Sequence, residues 1–166
     1  MRKYSVLITI LLMLIACDLP SDKVKFYIST PPGWDRTDSV ENYADTEVTL
    51  KSPLENANDI FRENIILLVS KGVNESEFIH NTLRDIKEDA NIFEETGSGH
   101  RSITGVRSYW CEVKVKYKTS ELTCTQRYYF LFANQHIYTF IVTSLQNDFE
   151  KMRPYIDEVL DTFKIL

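Results

Sequence analysis

His80, His100 and His136 are the three histidines of the chain. Acid–base or nucleophilic catalysis would need one of them beside a carboxylate and a hydroxyl. The serine with the most suggestive neighbours is Ser98, in Gly97-Ser98-Gly99. That tripeptide matches neither the GxSxG nucleophile elbow nor a phosphate loop, because both need other spacings and a following helix. Ile103 and Val106 point instead toward more strand, so Thr96 to His100 is expected to be a turn between strands. A hydrolase would have to assemble its site from distant residues such as His100, His136, Ser98 or Asp59, and this is the enzymatic alternative. Ser52 to Asp59, SPLENAND, has the Asn and Asp spacing of a calcium loop but lacks the acidic ligands and turn glycine of an EF-hand. The expectation is therefore a chain without catalytic residues, cofactor-binding residues or a metal site.

Cys17 has different chemistry open to it. Met1 to Cys17, MRKYSVLITILLMLIAC, opens with Arg2 and Lys3 and continues as an apolar run from Val6 to Ile15 broken only by Thr9. This is the layout of a signal peptide. A helix from Val6 to Ala16 would span only about 16 Å, short of the roughly 30 Å of bilayer hydrocarbon. Leu14 occupies the place where ordinary signal peptidase wants a small residue. Leu14-Ile15-Ala16-Cys17 resembles the bacterial lipobox, and the resemblance implies cleavage after Ala16 with a diacylglycerol on the Cys17 sulfur. Two or three acyl chains at roughly 0.8 kcal/mol per buried CH₂ hold a protein on a membrane where one does not. The expected organisation is a signal peptide over residues 1–16, a lipidated cysteine and tether over 17–23, and one domain over 24–166. The expected location is the bacterial cell envelope. Asp18 is the inner-membrane retention signal of enteric bacteria, a rule other lineages ignore, so the choice of membrane stays open.

The formal net charge is −5, and loss of Arg2 and Lys3 makes it two units more negative. No basic block stands out, which argues against nucleic acid as a partner. Cys111 and Cys124 would meet an oxidising compartment, where pairing is the first thought. They lie on consecutive strand-like runs, Tyr109 to Lys118 and Leu122 to Phe132. If Lys118 pairs with Glu121 or Leu122, Cys111 faces Tyr128 or Tyr129 while Cys124 faces Val115 or Lys116. Their α-carbons are then about 13 Å apart, beyond the ~7 Å a disulfide tolerates. Two unpaired thiols are expected, unless a bulge separates the strands.

The elements that must position these residues follow from hydrophobic periodicity. Val24 to Thr30 alternates as a half-buried strand, stopped by Pro31-Pro32-Gly33, and leaves Trp34 free to fold back on the sheet edge. Asp35 to Asp45 reads as a loop and Thr46 to Lys51 as a second one-faced strand. Ile65 to Val69, IILLV, is apolar on both faces and predicts a strand covered above and below, hence three layers. Asn74 to Ala90 predicts a helix with Asn74 as N-cap, Val73 and Phe78 as a staple, and Ile79, Leu83, Ile86 and Ala90 as its buried stripe. His80 falls on the solvated side. Ile92 and Phe93 begin a strand, and from Tyr109 three strands form an antiparallel meander with a turn at Ala133-Asn134-Gln135. In its first strand Val113, Val115 and Tyr117 face the core, while Glu112, Lys114, Lys116 and Lys118 face water. Pro154 is placed at the first position of a closing helix, after a short turn at Asn147 to Met152.

Pro32-Gly33-Trp34, Phe61-Arg62-Glu63-Asn64-Ile65, Gly105 before Trp110, Tyr129 to Phe132, and Asp161-Thr162-Phe163 occur in an order that resembles the PsbP-like and DcrB-like superfamily. The resemblance covers nearly all of the chain after Cys17. It implies an α+β fold with a central twisted antiparallel sheet of about six to seven strands, flanked by helices on both faces. Members with a described role bind or help assemble larger complexes, and no shared catalytic constellation transfers. The expected function is a non-catalytic, membrane-anchored envelope lipoprotein that binds a protein or ligand. Its expected contacts are the membrane through Cys17 and an envelope protein. Beside the hydrolase, solute capture is the other alternative, and it needs a pocket of roughly 300 Å³ or more.

Overall fold

Two tight turns set the register of most of the sheet. In the computed structural model, β5 (Ala90–Ile103) and β6 (Val106–Tyr117) meet across Thr104-Gly105, with φ of 47° and 87°. β7 (Cys124–Ala133) and β8 (His136–Leu145) meet across Asn134-Gln135, with φ of 52° and 62°. Two-residue loops with both φ values positive twist in the sense of the strands they join, which is why they close hairpins without splaying them. The structure describes residues 25–38, 46–57, 59–71, 74–146 and 148–166. The expected leader, Ala16, Cys17, the tether, Val24 and Val73 lie outside those residues.

β2 (Asp35–Asp38), β3 (Thr46–Lys51) and β4 (Asn64–Lys71) complete a seven-stranded antiparallel sheet in the order β2-β3-β4-β8-β7-β6-β5. Asp35 to Asp38 was expected to be loop. It forms an edge strand because its exposed polar residues suit an edge, and Arg36 ties it inward through a 3.0 Å bond to the Ile28 carbonyl. The first strand is also shorter than its alternation predicts. β1 (Phe26–Tyr27) pairs with β9 (Lys164–Ile165) in a separate two-stranded sheet. Beyond Tyr27, Ile28 still buries, at 1% exposure.

Among the described residues, each face of the large sheet carries one helix. α1 (Glu75–Asp89) starts at Asn74, whose Oδ1 accepts the N–H groups of Ser76 (3.1 Å) and Glu77 (3.4 Å), the expected N-cap. It stops at Asp89 because Ala90 is already extended and opens β5. α2 (Phe149–Thr162) begins five residues before Pro154, so the expected break at the proline does not occur. An interior proline costs ~3 kcal/mol, and the burial of Phe149 and Met152 in line with Ile156, Val159 and Leu160 offsets it.

The three-layer arrangement follows directly. On the α2 face, Leu50, Ile65, Leu67, Leu131 and Phe140 pack under Met152, Ile156, Val159 and Phe163. On the α1 face, Cys111, Val113, Val115, Tyr128 and Phe130 form a smaller cluster under Phe78, Ile79, Leu83 and Ile86. The expected turn at Thr96 to His100 is instead the middle of β5, with a bulge between Glu95 and Gly97. The glycines there make room for an indole, since a Cβ on Gly99 would meet Trp110 at 3.0 Å. Glu112, expected to face water, is also half-buried, because Arg127 of the next strand reaches its carboxylate.

Candidate functional site

The predicted stripe of Ile79, Leu83 and Ile86 does face the sheet, joined by Phe78, while Ala90 belongs to β5; yet no residue of this helix is fully buried. Among the described residues α1 is the helix on this sheet face, and a channel lies beside it. Between α1 and the β5–β6 hairpin that channel widens to about 540 Å³, floored by Ile79, Leu83 and Tyr109 and rimmed by Ser76, His80 and His100. It continues past His80 and Leu83 for a further 280 Å³ or so, bounded by Lys87, Phe93 and Glu95. The walls are apolar at the base and charged at the lip, the composition of a surface that buries a partner's apolar side chains.

The candidate hydrolase residues are not gathered here. His100 stands edge-on to Tyr109, with ring centroids 5.5 Å apart, and its Nδ1 lies 3.3 Å from the Ser108 carbonyl. Ser98 shares this face of β5, opposite Cys111, but does not line the channel. His136 sits at the β7–β8 turn, its Nδ1 2.8 Å from the Asn134 carbonyl. Asp59 accepts the N–H groups of Glu55 and Phe61, both at 3.1 Å. These two backbone bonds hold its carboxyl below the usual range, so it shapes its own loop. His80 and His100 do meet at one channel, which sequence spacing had kept apart.

Cys111 and Cys124 are free thiols. Cys111 is paired with Tyr128 and Cys124 with Val115, the register expected from the turn. Burial pushes the Cys111 thiol up to about 12, the negative charge of Glu95 adding to it, and raises Cys124 as well. Neither is poised as a nucleophile, because the thiolate is the reactive form. Among the described residues no cluster of three or more His, Cys, Asp or Glu side chains is arranged to hold a metal ion.

No protein-family model matches the chain, and no curated protein sequence matches it. Solved structures do. The solution structure of cyanobacterial PsbP (CyanoP) from Synechocystis superposes with a TM-score of 0.58 at 15% identity, over 86% of this chain and 92% of that one. The fold is PsbP-like. The same PsbP-like arrangement matches LpqN of Mycobacterium tuberculosis, a protein involved in cell envelope biogenesis, with a TM-score of 0.67 at 10% identity, over 87% of this chain and 86% of that one. The Ran-binding protein Mog1p of Saccharomyces cerevisiae matches at 0.57 and 12% identity, over 84% of this chain and 89% of its own. At such identities the likeness is one of fold.

Sequence reasoning missed what surrounds Arg127. Its guanidinium lies between the rings of Trp110 (5.2 Å) and Phe149 (4.8 Å), and donates to Glu112 through Nε at 2.9 Å. Alternation placed Glu112 and Arg127 on strands, but only register could show that they are opposite each other.

Proposed function

We propose that this chain is a non-catalytic envelope lipoprotein, cleaved after Ala16 and acylated on Cys17, whose domain binds a protein partner through the channel beside α1. The observation that carries the reading is the incomplete burial of α1: Phe78, Ile79, Leu83 and Ile86 are apolar yet none is fully enclosed. A partner's side chains lying in the channel would complete their burial at about 25 cal/mol per Å². The roles of LpqN in envelope biogenesis and of Mog1p in binding Ran support a binding or assembly module over an enzyme. A lipid at Cys17 would hold the domain at the membrane surface, raising its effective concentration toward partners there.

The test is crosslinking in the native envelope, comparing the wild type with Leu83→Glu and Cys17→Ser. Leu83→Glu puts a charge at the channel floor. The expected result is a protein crosslink from the channel that Leu83→Glu abolishes, with Cys17→Ser releasing the chain from the membrane. A small molecule that co-purifies with the domain and occupies the channel, with no protein crosslink, would transfer the reading to solute capture, which the channel's volume also favours.

A further inference from the structure

On the opposite face, a second pocket of about 300 Å³ lies between the Pro31–Trp34 turn and the start of α2. We propose that it binds an ammonium or guanidinium group carried on an alkyl stem. The turn makes the back wall. Trp34 N–H bonds to the Pro31 carbonyl at 3.1 Å, with Gly33 at φ 79°, the Pro-Gly combination of a type II turn. This aims Trp34 inward, where it is 8% exposed and packs against Tyr155 with ring centroids 5.4 Å apart. Tyr155 remains 40% exposed at the mouth, and Met152 and Pro53 continue the apolar wall.

Three carboxylates line the same pocket, Glu55, Glu63 and Asp148, against one ammonium, Lys151. Ser52, itself buried, donates its hydroxyl to Glu63 Oε2 at 3.0 Å and fixes that carboxylate at the wall. Lys151 is paired with Asp148, so among the described lining residues the carboxylates outnumber the ammonium groups, and Glu55 and Glu63 share only the more distant charge of Lys151. The pocket already stabilises one cation: the Lys151 ammonium is favoured by its bond to Asp148 first, and by the charges of Glu55 and Glu63 as well. Aromatic faces and carboxylates attract the same sign of charge, while the apolar wall suits methylene groups. The volume is at the lower end for ligand pockets and suits a side-chain end rather than a large molecule.

Such a group has two sources, a lysine or arginine of a polypeptide and a free diamine. The full chain in non-ionic detergent is titrated with N-acetyl-lysine methylamide, cadaverine and the neutral N-acetyl-norleucine methylamide, following the Trp34 indole resonance by NMR. Both amines are expected to shift it and the neutral analogue to leave it. A tighter fit for the lysine amide assigns the site to a polypeptide, and a tighter fit for cadaverine assigns it to a free diamine. Glu55→Gln and Glu63→Gln are each expected to weaken binding about two- to five-fold, as for a partly exposed ion pair. Lys151→Gln is expected to tighten it by a similar factor, an outcome that a damaged fold does not produce. Equal response to the neutral analogue, or Lys151→Gln binding no tighter than wild type, overturns the proposal. Because this pocket and the α1 channel are on opposite faces, neither result bears on partner binding at α1.

Discussion

The indole of Trp110 lies across the backbone of Gly99, so that a Cβ added there would stand 3.0 Å from Nε1 and 3.3 Å from Cε2. Gly97, one pleat away, would meet the same ring at 3.3 Å. Gly99→Ala is therefore expected to destabilise the domain by about 1–3 kcal/mol, the usual cost of overpacking. Gly97→Ala should cost less, since the ring need move only a few tenths of an ångström. Urea unfolding of the two variants checks the order.

Arg127 and Glu112 form a pair whose side chains are only 14% and 19% exposed. Glu112→Gln leaves a guanidinium held between two rings with its charge partner gone, and Arg127→Met leaves a half-buried carboxylate. Each single change is expected to destabilise by about 1–3 kcal/mol, below the cost of breaking a fully buried pair. The double variant should lose less than the two singles added together. A double-mutant cycle in urea reads this coupling directly.

The Cys111 thiol has a raised pKa, about 12 against an ordinary 9, because burial disfavours the thiolate. A group that holds its proton more tightly when folded contributes stability that is complete below pH 9 and is lost as pH rises toward 12. The folded chain should weaken above pH 9 with a slope approaching about 1.4 kcal/mol per pH unit for each such thiol. Cys111→Ala should lower overall stability but flatten that limb. Unfolding free energies between pH 8 and pH 10 test it, and below that range both cysteines should react with a thiol reagent only after denaturation.

Tyr138 is fully buried against Phe163, yet its hydroxyl has no hydrogen-bond partner among the described residues. A buried hydroxyl without a partner loses its hydration and gains nothing in exchange. Tyr138→Phe is expected to be neutral or to stabilise by about 1 kcal/mol, measured as a raised midpoint of thermal unfolding. A loss of that size would mean that the hydroxyl is satisfied in solution.

Periodicity carried the fold a long way. IILLV, apolar on both faces, predicted a strand covered above and below, and it does lie inside the sheet, between β3 and β8. Only Ile65, Leu67 and Val69 are buried, under α2, while Ile66 and Leu68 on the other face are half-buried and lie outside the α1 cluster. Asn74 announced α1 by its side-chain chemistry, and the short meander turns set the cysteine register correctly. The failures have one physical source, which is that local signals were overridden by contacts distant in sequence. Gly97-Ser98-Gly99 looked like a turn because glycine usually marks one, whereas here it clears space for Trp110 from the neighbouring strand. Pro154 looked like a helix start, but the core beneath Phe149 and Met152 carried the helix through it. Both pockets were hidden for the same reason: Trp34 packs on Tyr155, and His80 and His100 come to line one channel, only once the layers are assembled.

Mass spectrometry of the N-terminal peptide from native envelopes tests the proposed lipid anchor at Cys17 most directly. The predicted peptide begins at Cys17 and carries the mass of a diacylglyceryl group, with or without a further acyl chain. A peptide that retains Ala16, or that begins at Cys17 with an unmodified thiol, would contradict it.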